Sequence, residues 1–294
     1  MNASLEDYRR FYAEEIAAVA AVRSPALVRA FASVPREDFL GPGPWKLFGL
    51  DSGMGASYRL TEDADPRRLY HNVVVSIDQA RHLNNGQPSA LASWINALEI
   101  AQGDRVFHLG AGVGYYTAIM AEIVGPRGSV TGAEVDAGLA ARARQNLAKW
   151  KNVEVISGDG TQHDPGPADV IFINAGVTHP LPLWLDRLRP GGRLLYPVTF
   201  EGPGFPGGKG CMLLVKREAE VYSARCVNVV MIYSCSSLRD AELNTALTKL
   251  VGSGKILGVR SLRREPHQAD ESCLLHGPDS CLSTKEIASQ RATA

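Results

Sequence analysis

No apolar run in the 294-residue chain approaches the roughly 20 residues needed to cross a bilayer, so no membrane span is expected. The first residues, Met1-Asn2-Ala3-Ser4-Leu5-Glu6-Asp7, lack the basic start and apolar stretch of a secretory signal, and a cytoplasmic place is expected. Charge of either sign is not in excess: Lys plus Arg and Asp plus Glu are 31 each. No global positive field therefore favours nucleic acid, which is not an expected partner. Cysteine is scarce, with Cys211, Cys226, Cys235, Cys273 and Cys281 forming an odd set that contains no CxxC pair, and reduced thiols are expected. His267, Cys273, His276 and Cys281 are four potential zinc ligands in a short span. Their spacing matches no zinc module, and free thiols with surface histidines, and no metal, are the expected state.

What is present is an α/β pattern. Apolar residues recur at helical spacing from Leu5 to Val22, and Ser24-Pro25 caps a second helix running to about Val34. Gly41 to Gly55, rich in Gly and Pro, reads as an irregular connection. Val73 to Ile77 is a short β-branched run, and Pro88-Ser89 opens a helix to about Ile100.

From Arg105 the pattern alternates between strands and helices, the signature of a parallel sheet. Strands are predicted at 105–109, 129–134, 153–157, 170–174 and 193–197, with helices at 115–124, 137–150 and 182–187. Pro190-Gly191-Gly192 is predicted to be the turn before the fifth strand. Residues 212–216 and 225–232 are predicted to form an antiparallel hairpin. One core is expected, with a helical N-terminal extension (1–100), a ligand-binding centre (101–235) and a C-terminal extension (236–294). A helix is plausible from Ser236 to about Leu250, and the last ten or so residues are expected to be mobile.

The chemistry is concentrated at strand ends, where open α/β folds bind ligands. Val106-Phe107-His108-Leu109 runs into Gly110-Ala111-Gly112-Val113-Gly114-Tyr115, a strand ending in a glycine turn that opens a helix. Such a loop can bind a dinucleotide or adenosylmethionine, or can serve only as a tight connection. Glu134 ends the second strand, and its carboxylate can accept from two ribose hydroxyls; as a bland alternative it is a solvated acid beside Asp136. Asp159, in Gly158-Asp159-Gly160, can accept from an adenine amine, or can be a simple Asp-Gly turn. The spacing Gly110-x-Gly112-x-Gly114 lacks the two-residue second gap of the dinucleotide fingerprint, which leans away from a nicotinamide cofactor.

From Val34 to about Ile232 the chain resembles the protein-L-isoaspartate O-methyltransferase family of S-adenosylmethionine-dependent enzymes. The likeness is carried by Val34-Pro35-Arg36, Gln87-Pro88, Gly110 to Tyr115, Gly158-Asp159-Gly160 and Gly191-Gly192-Arg193-Leu194-Leu195-Tyr196-Pro197-Val198. It implies a Rossmann-like methyltransferase fold of five parallel strands plus the C-terminal hairpin, with helices on both faces and residues 1–100 capping the acceptor side. S-adenosyl-L-methionine is the implied cofactor, and a carboxylate of a peptide, protein or small molecule the implied acceptor. The resemblance places the cofactor against Gln87, His108, Gly110, Ala111, Gly112, Gly114 and Tyr115. It adds Glu134 with Val135, Gly158, Asp159, Gly160 and Asn174.

Three departures stand out. Where the family has Thr-Ile-Ser before Gln-Pro, this chain has Asn84-Asn85-Gly86, so Asn84, Asn85 and the nearby Ser89 become the catalytic candidates. The asparagine amides can hold a carboxylate or the cofactor's methionine group, although two asparagines before a glycine also make a turn, and Ser89 also reads as a helix-start residue. His108 stands where the family usually has an acid, and acts through a water, contacts the acceptor, or is a neutral structural ring. Residues past Ile232 form an extension. A module that binds the cofactor without transferring methyl is the alternative function, and a nicotinamide oxidoreductase a more distant one.

Overall fold

A computed structural model describes residues 3–51, 55–202 and 207–287. The chain opens with helices α1 (Leu5–Val19), α2 (Pro25–Ser33) and α3 (Glu37–Leu40), followed by strands β1 (Lys46–Asp51), β2 (Gly55–Leu60), β3 (Ser76–Asp78) and β4 (Leu83–Asn84). Next come α4 (Pro88–Ala97), β5 (Arg105–Leu109), α5 (Tyr115–Val124), β6 (Ser129–Glu134), α6 (Ala137–Asn146) and β7 (Val153–Ser157). β8 (Ala168–Ile173), α7 (Pro182–Arg187), β9 (Leu188–Glu201), β10 (Gly207–Glu218) and β11 (Val221–Tyr233) follow. The chain closes with α8 (Ala241–Gly252), β12 (Ser261–Arg263), β13 (Cys273–His276) and β14 (Cys281–Ser283). The tail expected to be mobile falls, past residue 287, outside the described residues. No helix among those residues is long and apolar enough to cross a membrane.

The chain divides into two compact units, residues 1–104 with 111–158, and residues 105–110 with 159–294. In the first, local chemistry starts the helices. Ser4 and Asp7 form a reciprocal capping box on α1, and Ser24 caps α2 ahead of Pro25. Asp136 accepts the Leu139 N–H at 2.8 Å to cap α6. The parallel pair β6–β7 packs against α5 and α6. The core of this unit is aromatic: Tyr115 meets Phe39 edge-on at 5.5 Å and Phe31 at 6.4 Å, and Tyr12 meets Phe31 at 6.0 Å. Each such pair adds about 0.5–1.5 kcal/mol beyond area burial.

Arg36, of the Val-Pro-Arg segment, is wholly buried in this core. Its guanidinium donates to the carbonyls of Leu69, His71 (3.1 Å) and Val73 (2.6 Å), and lies 5.7 Å from the Tyr12 ring centre. A planar fork with five donors suits three converging carbonyls, which an ammonium would serve poorly.

The expected irregular connection at Gly41 to Gly55 proved wrong, because β1 and β2 pair there as an antiparallel hairpin. Trp45 and Leu47 are buried while Lys46 and Phe48 are exposed, a period-two pattern hidden behind the Gly-Pro cluster before it. Trp45 and Leu47 pack with Leu40, Leu69 and Val75.

In the second unit β5, β8 and β9 run parallel, and β10 and β11 extend the sheet antiparallel, followed by β12, β14 and β13. The parallel strands and the antiparallel β10–β11 pair fall where the sequence placed them, whereas β12, β13 and β14 were not foreseen. The fifth strand begins earlier than predicted, since Pro190-Gly191-Gly192 is not a turn before it but part of a bulge within β9: Ala168 pairs with Leu188 and Val170 with Arg193.

Reduced thiols were expected throughout, yet Cys211 and Cys226 form a disulfide across the neighbouring strands β10 and β11, their Cα atoms 6.0 Å apart. That separation lies in the bridging range, although the two are not register partners: Cys211 stands opposite Val229 and Cys226 opposite Leu213, with a bulge between Met212 and Leu213. Cys235, Cys273 and Cys281 are free thiols.

Arg36→Met keeps most of the side-chain volume but strips the donors from three carbonyls. It is expected to lower unfolding free energy by roughly 3 kcal/mol, about 1 kcal/mol or more per abandoned acceptor. A urea midpoint shift worth well under 1 kcal/mol would show that the guanidinium does not hold this segment.

Candidate active site

In the first unit, the glycine turn is held from β6. The Ala111 N–H donates to the Ala133 carbonyl at 3.1 Å, and the Gly112 N–H to Glu134 Oε2 at 2.8 Å. Glu134 is buried, and its Oε1 accepts the Asp136 N–H at 3.0 Å. A carboxylate has about four lone-pair sites, so it can brace this backbone and still accept from a ligand. The Gly158 N–H donates to the Glu134 carbonyl at 2.9 Å, bringing that motif residue to the same strand end. Val135 is 73 % exposed, an apolar surface beside the carboxylate.

The glycines of the turn serve different ends. At Gly112 φ is +56° and a Cβ would meet nothing within 4 Å, so the backbone faces open space in a conformation that side chains disfavour. At Gly114 a Cβ would lie 2.8 Å from Leu147 Cδ1, so this glycine lets α6 approach. Space above Gly112, a carboxylate with lone pairs to spare and an exposed valine suit the ribose end of a nucleoside. The Tyr115 side chain is buried in the aromatic core, leaving only its backbone for a ligand.

The segment replacing Thr-Ile-Ser is anchored elsewhere in the same unit. Asn84 Oδ1 accepts the Gly86 N–H at 2.9 Å, closing an Asx turn. Asn85 is buried and pairs with Val75: its Oδ1 accepts the Val75 N–H (2.9 Å) and its own N–H donates to the Val75 carbonyl (3.0 Å). Among the described residues Asn85 Nδ2, though buried, has no hydrogen-bond partner.

Gln87 stands at the N-cap of α4 but its side chain makes no capping bond; its amide donates to the Asn72 carbonyl (2.7 Å) and to Asn72 Oδ1 (2.8 Å). Ser89 is bound to the same residue, its N–H donating to Asn72 Oδ1 and its hydroxyl accepting from Asn72 Nδ2, both at 3.0 Å. Asn72 is the organiser that the sequence left unmarked, for a lone asparagine beside a β-branched run carries no motif. Arg81 bridges Asp78 and Asp136, tying the β3–β4 turn to the start of α6.

In the second unit, Gly110 lies against Asn174: a Cβ on it would fall 3.0 Å from the Asn174 carbonyl oxygen. The Asn174 N–H in turn donates to the Leu109 carbonyl at 2.8 Å. Asp159 Oδ1 accepts the Thr161 N–H (2.9 Å) and hydroxyl (2.8 Å), and the Thr161 hydroxyl is 3.3 Å from Ser237 Oγ. Burial pushes the Asp159 carboxyl up, but hydrogen bonds from Thr161 and Ser237 outweigh it and leave its pKa below the usual value. Gly160 is buried beside it. Ser237 belongs to the C-terminal extension, where no motif marked it.

His108 is buried and stacks on Phe172 with ring centres 5.0 Å apart and planes 3° from parallel. Burial pushes its pKa down to about 3, so the ring is neutral at physiological pH.

The structure is similar to a solved protein-L-isoaspartate O-methyltransferase (TM-score 0.54, 22% identity, 81% of this chain and 69% of that one). It is also similar to a Plasmodium falciparum protein described under the same activity and solved with S-adenosyl-L-homocysteine (TM-score 0.55, 16% identity, 77% and 98%). The fold is that of the S-adenosylmethionine-dependent methyltransferases. Residues 59–233, more than half of the chain, match the profile of the family "Protein-L-isoaspartate(D-aspartate) O-methyltransferase (PCMT)". The chain belongs to that family.

Among relatives of the same name, that of Methanothrix thermoacetophila is 38% identical over 164 residues, covering 53% of this chain and 74% of its own length. That of Thermotoga maritima is 30% identical over 184 residues, covering 60% of this chain. The chain spans about half of the Thermotoga relative, 52%.

Two outcomes are expected from this geometry. Because His108 titrates near 3 folded and about 6.5 unfolded, the unfolded chain binds the extra proton between those values. Stability is complete above about pH 6.5 and falls as pH drops toward 3, by at most about 1.4 kcal/mol per pH unit from this group. His108→Phe should flatten that acid limb in denaturant titrations at pH 7, 5.5 and 4; an unchanged limb would show that the ring is not held neutral. Gly114→Ala should lower the melting temperature more than Gly112→Ala, since only the former drives a methyl into Leu147.

Proposed function

We propose that the protein transfers the methyl group of S-adenosyl-L-methionine to a carboxylate oxygen of a peptide or protein, with an isoaspartyl residue the first acceptor to test. A small-molecule carboxylate is the other source of the same chemistry. The observation that carries the reading to an acceptor is Asn85: its carbonyl oxygen is committed to Val75 while its buried Nδ2 has no partner among the described residues. A buried donor left unpaired costs about 1–3 kcal/mol, a penalty that an incoming carboxylate oxygen removes. Asn85 lies where the family has Thr-Ile-Ser.

The bound cofactor supplies an electrophilic methyl on a cationic sulfur. A main-chain carboxyl with a pKa of about 3.3–3.7 is already ionised at neutral pH, so the chain need not remove a proton. Its contribution is orientation, which can lower a barrier by several kcal/mol when the reacting atoms are held in line. In this reading Asn85 Nδ2 holds one acceptor oxygen, with Asn84 and Ser89 shaping the same segment. Glu134 receives the ribose hydroxyls on its remaining lone pairs, Val135 offers apolar surface to the base, and the open backbone at Gly112 lets the ligand approach. Asp159 keeps the adenine-amine role read from its place after β7; Gln87, Ala111 and Gly158 in the first unit, and Gly110, Gly160 and Asn174 in the second, keep the cofactor roles that the resemblance implies. His108, being neutral, cannot replace the charge of the family's acid. The cytoplasmic place is proposed as well; the Cys211–Cys226 disulfide is uncommon in a reducing compartment, and thiol trapping in cells decides it.

An isoaspartyl peptide should take up label from methyl-labelled cofactor, and its aspartyl twin should not. Asn85→Ala should lower kcat/KM 10- to 100-fold while S-adenosylhomocysteine affinity by calorimetry stays within about twofold; Glu134→Ala should weaken that affinity more than tenfold. Intact cofactor binding with no label uptake removes isoaspartate as acceptor. If no methylated product is then found across cell extract, the module without transfer activity replaces this reading.

A further inference from the structure

Residues past 233 lie outside the family match, and there the structure gathers the four residues whose sequence spacing had pointed to no metal module. One ligand atom from each of His267, Cys273, His276 and Cys281 lies within 4.8 Å of all the others. We propose that these four side chains bind one zinc ion in a closed, tetrahedral site that staples the C-terminal module.

The backbone explains how an unfamiliar spacing converges. His276 pairs directly with Cys281 across the β13–β14 hairpin, so the two side chains share a face. Cys273 and His276 are three residues apart and in a regular strand would point to opposite faces. The register slips between Cys273, paired with Ser283, and Leu275, paired with Leu282, so one extra residue is accommodated. A bulge of this kind re-aims a side chain, and here it returns Cys273 to the face of His276. His267 arrives from the loop between β12 and β13, its ring 4.8 Å from that of His276 and nearly perpendicular to it.

The surroundings orient the ligand atoms. His267 Nδ1 donates to the Glu265 carbonyl at 2.8 Å, which leaves the Nε2 lone pair directed at Cys273 Sγ, 3.5 Å away. With zinc–sulfur bonds of about 2.3 Å and zinc–nitrogen bonds of about 2.0–2.1 Å, the nitrogen–sulfur edge of a tetrahedron is about 3.6 Å. A second ring nitrogen bonded to a carbonyl is the usual support of a metal-bound histidine. The Asp270 N–H points to Cys273 Sγ at 3.4 Å, a donor suited to a thiolate, while the metal-free thiol donates to Asp270 Oδ1 at 3.6 Å. On binding, each cysteine exchanges its S–H bond for a sulfur–zinc bond and releases a proton to solvent. Two thiolates and two neutral imidazoles then balance the dication, so Cys281 is buried in a site with no net charge. Two nitrogens and two sulfurs in a tetrahedron suit zinc, and four protein ligands leave no open position, which marks a structural role. A module of three short strands with few apolar residues is the kind that a metal stabilises.

The test uses the full chain. Purified without chelator and dialysed, it should retain one zinc per chain by plasma mass spectrometry. The cobalt(II)-substituted protein should show the intense visible bands of tetrahedral coordination and a near-ultraviolet sulfur-to-metal charge-transfer band. Cys273→Ser and Cys281→Ser should each lose stoichiometric metal while S-adenosylhomocysteine affinity stays within about twofold. Should those variants fail to fold, the cobalt spectrum of the unaltered protein decides alone. Under a tenth of a zinc per chain after incubation with zinc, a weak octahedral cobalt spectrum, or a Cys273–Cys281 disulfide in freshly isolated protein would each overturn the proposal.

Discussion

The first unit depends on one buried cation. Arg36 grips the carbonyls of Leu69, His71 and Val73, and so fixes the strand-like run in which Asn72 and Val75 stand. Asn72 then holds Gln87 and Ser89, and Val75 holds Asn85. A guanidinium far along the chain thus sets the geometry around Asn85, Gln87 and Ser89 through two relays of hydrogen bonds. The arrangement accounts for an arginine in the Val-Pro-Arg segment: no other side chain presents enough coplanar donors to three carbonyls at once.

The glycine turn illustrates a second economy. Glu134 is both a brace for the backbone and the candidate acceptor for ribose, because a carboxylate has more lone pairs than one N–H can use. Hydrogen bonds within the protein hold it in place, which suits the orientation-governed transfer proposed above. The asparagine segment shows the opposite device, a donor that is buried and unpaired among the described residues.

The C-terminal extension belongs to neither argument, except at Ser237, which joins Thr161 beside Asp159. The metal-ligand cluster follows a different logic, in which a bulge and a hairpin register do what a sequence motif does in familiar zinc modules.

The sequence by itself determined the strands and helices from Arg105 to the β10–β11 pair, the strand ends where motifs cluster, and the family; β12, β13 and β14 it left unmarked. Those signals are local: hydrophobic period, glycine at positive φ, caps written within four residues. It did not reveal the β1–β2 hairpin, whose alternation was masked by Gly and Pro, nor the bulge within β9. Asn72 as organiser, the Cys211–Cys226 disulfide, the burial that keeps His108 neutral and the meeting of His267, Cys273, His276 and Cys281 were decided only by tertiary structure. Each depends on contacts between segments distant in the chain, strand register among them, which no short stretch of sequence encodes.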